Sequence, residues 1–242
     1  PAAPETIGLL RSQLPALRTQ HPSVEFGSLE VALANVRDED WENSWKQYYQ
    51  PLPIGERLLV VPQWLSPENP EHRIPVLLAP GMIFGTGAHA STQMCMRALE
   101  HCIAGGERVL DIGTGSGILA IAALKLGAGS AEGVDIDPMC VRTAGENAAR
   151  NGVADRFKVL VGDLSDKASS TYDIITANIV ANAILSLAPA VPGLMAEGAT
   201  FIASGIIDSR KDEVIAGLEK AGLAVAEVKE KRGWECIVCK KA

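Results

Sequence analysis

The chain reads as a doubly wound α/β protein: a mostly parallel sheet of seven strands, closed by an antiparallel C-terminal hairpin. Three observations predict this. From about residue 90, short apolar runs alternate with helical stretches, as in strands joined by crossover helices. One strand-to-helix turn, Val109-Leu-Asp-Ile-Gly-Thr-Gly-Ser-Gly117, carries glycines at alternate positions. The last two apolar runs, 223–230 and 234–240, have no helix between them and must pair as a hairpin.

The elements follow in order. Residues 4–20 place Ile7, Leu10, Leu14 and Leu17 on one helical face, and 28–36 alternate as a strand does. Asp38 to Asp40 put acids at the first turn of a short helix, Trp41 to Tyr49, which Pro51 stops. Strands are expected at 54–61 and 74–79 around a proline-rich loop. The regular part then runs helix 91–102, strand 107–112, helix 117–126, strand 131–136, helix 138–151 and strand 157–162. Strand 172–177, helix 180–195, strand 198–204, helix 209–221 and the hairpin complete it. The expected domains are 1–37, a partial small α/β segment; 38–75, a linker helix and strands; and 76–242, the catalytic domain.

The glycine turn indicates a nucleoside cofactor. A strand, a glycine loop and a helix N-terminus together cradle such ligands. The dinucleotide fingerprint is G-x-G-x-x-G, but here the third glycine comes one residue early, after Gly113 and Gly115, and Ile118 holds the sixth position. Asp135 lies 18 residues after Gly117, at the end of the next strand, where a carboxylate accepts ribose hydroxyls. Together these favour S-adenosylmethionine over NAD. Glycines that serve packing alone are the alternative.

Two further stretches converge on that turn. Strand 172–177 leads into Asn178-Ile-Val-Ala181, at the carboxyl end where ligands bind in such sheets. The Asn178 side-chain carbonyl and the Ile179 backbone carbonyl can accept hydrogen bonds from an amine and aim its lone pair at a methyl sulfonium. Val180 and Ala181 leave room for a flexible alkyl amine. Otherwise Asn178 caps the following helix. The loop Pro80-Gly-Met-Ile-Phe-Gly-Thr-Gly-Ala-His-Ala-Ser-Thr92 precedes a helix that Ser91 or Thr92 can cap, and it can close over a methionine moiety.

Bulk properties exclude several classes. The longest apolar segments fall short of the roughly 18 residues of a membrane span. The chain opens on no secretory pattern. Five cysteines without a paired framework suit a reducing cytoplasm. The net charge of −7 argues against non-specific nucleic-acid binding. Cys236 and Cys239 form C-x-x-C without a second pair, and on a strand they face opposite ways, so no metal is expected. Trp41 and Trp45 share one helical face and read as packing. Asp163, ending a strand, reads as a turn residue or as a group near the adenine. Trp234 can approach the site from the hairpin but is not assigned to it.

Five pieces together resemble the ribosomal protein L11 methyltransferase family (PrmA), class I S-adenosylmethionine enzymes with a Rossmann-like sheet. They are Asp40-Trp-Glu-Asn-Ser-Trp45, Phe84-Gly-Thr-Gly87 with His89 and Thr92, Asp111 to Gly117, Val134-Asp-Ile-Asp-Pro138 and Asn178 to Ala181. The resemblance runs from about residue 38 to the C-terminus. It implies cofactor contacts at Thr92, Gly113, Asp135 and Asn178, with Phe84 and Thr86 shaping the pocket. Asp111 can meet the methionine amino group directly or through water, and His89 is one candidate base. The resemblance also implies methylation of the α-amine and lysine ε-amines of ribosomal protein L11, without direct nucleic-acid or membrane partners. Residues 1–37 look like only the C-terminal portion of the recognition domain that family members carry. The alternatives are a lysine methyltransferase acting on another protein and a non-catalytic S-adenosylmethionine-binding module.

Overall fold

The computed structural model describes residues 3–31, 49–66, 71–79, 85–168 and 170–242. The chain forms two compact units, Pro1–Tyr49 and Gln50–Ala242. The boundary falls inside the segment expected as a linker. The predicted strand 32–36, helix residues 41–48 with Trp41 and Trp45, and Phe84 lie outside the described residues.

In the first unit, α1 (Ala3–Gln20) carries Pro15 in its interior. Ile7, Leu14 and Leu17 are half-buried, whereas Leu10 of the same expected face is 42% exposed. The Arg11 guanidinium donates to the Val31 carbonyl and Arg18 to that of Gly27, which ties the returning chain to the helix. Residues 28–31, expected as strand, have no regular structure.

The second unit opens with a small sheet. β1 (Leu52–Ile54) pairs antiparallel with β2 (Leu58–Pro62), which pairs parallel with β3 (Ile74–Leu78). The single strand expected at 54–61 is therefore a hairpin. Its turn is held by the Glu100 carboxylate, which accepts the backbone N–H groups of Glu56, Arg57 and Leu58 at 2.9–3.0 Å. Long-range capture of this kind leaves no periodicity signal.

The main sheet has the order β6-β5-β4-β7-β8-β10-β9. Its strands are β4 (Arg108–Ile112), β5 (Ser130–Asp135), β6 (Phe157–Val161), β7 (Tyr172–Asn178), β8 (Met195–Ile207), β9 (Leu223–Lys231) and β10 (Trp234–Lys241). The first five run parallel; β10 runs antiparallel to both β8 and β9. Arg232 and Gly233, both at positive φ, form the two-residue turn of the hairpin.

The helices are α2 (Ala90–Cys102), α3 (Ile118–Leu126), α4 (Pro138–Arg150), α5 (Ala181–Leu187), α6 (Val191–Leu194) and α7 (Lys211–Lys220). α3 is buried at every residue but Lys125, and a helix apolar all round must be covered all round. The small sheet supplies the extra cover: Ile54, Leu58, Val60, Val76 and Leu78 join α2 and α3 in one core cluster. A second cluster on the other face of the sheet joins Leu110, Ile175 and Phe201 to Ile184 and Val214.

Asn147 of α4 and Asn151, its C-cap, fasten the end of β3. The Asn151 side chain accepts from Leu77 N–H at 2.8 Å and donates to Leu77 C=O at 2.7 Å, as a neighbouring strand would. Fully buried Asn147 accepts from Ala79 N–H and donates to Ser116 C=O.

The single helix expected at 180–195 is broken. α5 ends at Leu187, a 3₁₀ turn spans Ala188–Ala190, α6 follows, and β8 already begins at Met195. Pro189 and Pro192 lack the N–H groups a continuous helix needs. Cys236 and Cys239 join opposite core clusters, as their strand alternation requires.

Candidate active site

The carboxyl ends of β4, β5 and β7 converge with the turns that follow them. At β4, Asp111 is 1% exposed and accepts from Thr176 Oγ1 at 2.6 Å and Thr114 Oγ1 at 2.7 Å. Burial pushes its carboxyl up to about 6, against the two hydroxyl hydrogen bonds that favour the charged form. It is placed as an anchor that clamps the glycine turn to β7.

Asp135, at the end of β5, accepts from Gly115 N–H at 2.8 Å and Asp137 N–H at 3.0 Å. The acidic strand end and the glycine turn are thus one hydrogen-bonded unit. A carboxylate retains acceptor capacity beyond these two bonds. Asp137 then caps α4 by accepting from Met139 N–H at 2.8 Å.

The glycines divide in role. Gly113 and Gly115 line a cavity of about 430 Å³. A Cβ on Gly113 would come 2.4 Å from Ile179 Cγ2. Gly117 instead lies against Ala144 and Phe157, where a Cβ would meet both at 3.0–3.1 Å, so it serves helix–sheet packing. The cavity has the size of a small-molecule site. Its walls include Asp135, Ile136, Cys140, Asp163, Leu164, Asn178 and Val180. Asp163 lines the cavity, and its carbonyl also accepts a turn hydrogen bond from Asp166 N–H.

Asn178, Ile179 and Val180 also line a second cavity of about 210 Å³, with His89, Ser91, Gly205 and Trp234. The Asn-Ile-Val turn is therefore the shared wall of two cavities. Asn178 does not cap the next helix: Val180 is the N-cap residue, with no side-chain hydrogen bond. The Asn178 amide donates from Nδ2 to Thr92 Oγ1 at 3.2 Å, while its Oδ1 is buried with no partner. A buried carbonyl without a donor is costly, and a bound donor relieves it. Ile179 N–H donates to Ser204 C=O at 3.0 Å, and the Ile179 carbonyl lies so close to Gly205 that a Cβ there would come within 2.5 Å. Gly205 is unpaired where β8 shifts register against β10, a bulge that brings the turn onto the strand.

The loop before α2 closes one side. Ser116 Oγ donates to Gly85 C=O at 2.7 Å, and Gly87 lies against Val60 and Ile118. Thr86 sits between these contacts and lines neither cavity. The N-cap of α2 is His89, not Ser91 or Thr92: His89 Nδ1 accepts from Ser91 N–H and lies 2.7 Å from Ser91 Oγ. Ser91 and Thr92 are instead fully buried in the first turn. The His89 ring meets Trp234 edge to face, centroids 4.5 Å apart. Trp234, which the sequence allows near the site without assigning it there, is marked only by its position directly after the Arg232-Gly233 turn. Cys140 and Gly205 were missed, and neither had a motif to mark it. Among the described residues no group of His, Cys, Asp and Glu could hold a metal ion.

The arrangement fits an adenosine-type cofactor in the larger cavity. It offers two lining glycines, an acidic strand end, and a buried, unpartnered acceptor on Asn178, a residue that lines both cavities. An acceptor amine in the smaller cavity would lie across Asn178 from the cofactor.

Comparison with known proteins gives a consistent picture. The PrmA family, described as ribosomal protein L11 methyltransferase, matches residues 11–242. A curated relative of that name from Pelotomaculum thermopropionicum is 44% identical over 210 residues, covering 87% of this chain and 68% of its own length. Another from Exiguobacterium is 41% identical over 234 residues, covering 96% of this chain and 73% of that one. A crystal structure of a ribosomal protein L11 methylase from Lactobacillus delbrueckii subsp. bulgaricus superposes with a TM-score of 0.76 at 30% identity, covering 80% of this chain and 99% of that one. A TehB-like SAM-dependent methyltransferase from Corynebacterium glutamicum, at TM-score 0.51 and 17% identity over 61% of this chain and 87% of its own, shares the fold alone.

Proposed function

This chain belongs to the PrmA family of ribosomal protein L11 methyltransferases, and we propose that it transfers methyl groups from S-adenosylmethionine to amino groups of ribosomal protein L11. The targets are the α-amine and lysine ε-amines. The observation that carries the reading is the Asn178–Val180 turn, which walls two cavities at once and carries a buried, unpartnered acceptor on the Asn178 side chain. A module that only binds S-adenosylmethionine has no use for the second cavity. The family relationship likewise disfavours a different protein substrate.

When bound, the cofactor supplies an electrophilic methyl group on a sulfonium. The chain's residues do the rest. Gly113 and Gly115 let the backbone approach the ligand, and Asp135 accepts ribose hydroxyls. Asn178 Oδ1 and the Ile179 carbonyl accept the N–H groups of a neutral amine and turn its lone pair toward the larger cavity. Lysine is mostly protonated at neutral pH, with an ordinary value of about 10.4. Apolar surroundings at Ile179, Val180 and Trp234 favour the neutral form by desolvation. Orientation supplies most of the rate in this scheme.

Among the described residues no helix is long and apolar enough to cross a membrane, and the five cysteines are free. Free thiols and a ribosomal substrate support a cytoplasmic location. The test is direct. Ribosomal protein L11 is incubated with this chain and S-adenosylmethionine, and its intact mass is followed. Gains in whole methyl units are expected. Cofactor binding without any gain would overturn the reading.

A further inference from the structure

We propose that the second cavity divides the work of successive methyl transfers: Asn178 orients the amine in the early transfers, and Trp234, with Val180, positions it in the last. This inference rests on the proposed function and deepens it. It starts from counting N–H groups. A neutral primary amine has two, a monomethylated amine has one, and a dimethylated amine has none. Asn178 Oδ1 and a backbone carbonyl are acceptors only. They grip a primary amine at two points, a secondary amine at one, and a tertiary amine not at all.

The smaller cavity has other means of holding an alkylated amine. Its volume of about 210 Å³ is several times the roughly 30 Å³ that one water takes up in the liquid. It therefore has room for an amine bearing methyl groups together with part of its stem. Val180 is 69% exposed and presents an apolar wall shared with the cofactor cavity. Trp234 lines the cavity from the hairpin and is braced at 74° by the His89 ring, which also caps α2. A dimethylated amine enters neutral and packs its methyl groups on the indole, and the same ring face, the best of the aromatic side chains for a cation, attracts the charge that forms on nitrogen as the last methyl arrives. The brace matters because a loose ring orients nothing.

In each transfer the nitrogen lone pair forms the new N–C bond. The S–C bond breaks with its electron pair returning to sulfur, so the positive charge moves from sulfur to nitrogen. The ammonium so formed loses its proton to solvent before the next transfer. After the third transfer no N–H proton remains, and the charge stays as a quaternary ammonium beside Trp234. The aromatic wall thus gains importance with each methyl as the acceptor pair at Asn178 loses its purchase.

The experiment resolves mono-, di- and trimethylated ribosomal protein L11 by mass over a time course. It compares the full chain with its Trp234→Ala, Trp234→Phe and Asn178→Ala variants, and S-adenosylmethionine affinity is measured by calorimetry for each. The expected result for Trp234→Ala is a third-to-first transfer ratio at least tenfold below wild type, with mono- and dimethylated products accumulating and cofactor affinity within threefold. Trp234→Phe restores most of the ratio. Asn178→Ala shifts it the other way, slowing the first transfer most. A Trp234→Ala variant that slows all transfers equally overturns the inference, as does a wild-type chain that stops at one methyl. A wild-type chain that leaves L11 unmethylated overturns the proposed function itself.

Discussion

Burial governs Asp111. Its carboxyl is raised to about 6 chiefly by desolvation, so the folded state holds the proton more tightly than the unfolded chain, whose value lies near the ordinary 3.8. For an acid raised on folding, stability is highest where the group is protonated and falls as pH rises from about 4 to 6. The span corresponds to about 3 kcal/mol. Asp111→Asn keeps a polar group between Thr114 and Thr176 but cannot ionise. Urea unfolding of both proteins at pH 4 and pH 7 should show the wild type losing about 2 kcal/mol relative to the variant on going to the higher pH, less than the full span because the unfolded carboxyl is already partly ionised at pH 4. A difference that does not change with pH would show that Asp111 titrates normally. The same residue illustrates what the sequence tells at this scale. An aspartate at the end of an apolar run, before glycines, announces a site. That both its oxygens would be taken by Thr114 and by Thr176, a residue from another strand, has no sequence signature. Asn178 is the opposite case. Its alternative roles are separated by one local fact, that the next helix starts at Ala181 and is capped without it.

Elements were legible where one periodicity held and were misread where a distant side chain intervened. The strands of the parallel sheet fall within a residue or two of their expected bounds up to β7, because each is a short apolar run between turns. Helix 180–195 was overextended because its alanines and leucines outweighed two prolines in the pattern. The 54–61 hairpin was missed because its turn is stabilised by Glu100, more than forty residues away. β3 depends on similar help. Asn151 pairs with both backbone groups of Leu77, and removal of that amide leaves the N–H and C=O of Leu77 without those partners. Unmet buried polar groups cost about 1–3 kcal/mol each. Asn151→Ala should therefore lower stability by about 2–4 kcal/mol and speed hydrogen exchange at Leu77. Both effects are read by urea titration and by exchange monitored with mass spectrometry. A loss under about 0.5 kcal/mol, the ordinary range for surface substitutions, would mean that water replaces the amide readily.

At the scale of the molecule, the insertion of β10 between β8 and β9 was not anticipated, although its signal is present. β10 is buried continuously from Glu235 to Cys239, whereas β9 is mostly exposed and carries Glu227, Lys229, Glu230 and Lys231. A strand buried on both faces belongs inside a sheet, and a charged one belongs at its edge. Adjacency in sequence said only that the two strands pair. This order places Trp234 beside the Asn178 turn, so the smaller cavity depends on a topological detail. Among the described residues, both core clusters, both cavities and the hydrogen bonds of the site lie within residues 50–242. The expectation is that this unit folds and binds cofactor by itself. Recruitment of a protein substrate is a separate matter; residues 1–37 resemble only the C-terminal portion of the family's recognition domain, and we propose that they retain part of that role. A chain beginning at Gln50 should unfold cooperatively and bind S-adenosylmethionine within threefold of the full chain. Its KM for ribosomal protein L11 should rise at least tenfold, while kcat changes less, because binding energy lost away from the reacting atoms is lost from substrate and transition state alike. Steady-state kinetics and calorimetry on the two chains decide it. An unchanged KM would place recruitment on the catalytic unit, around the mouth of the cavity that Val180 and Trp234 share.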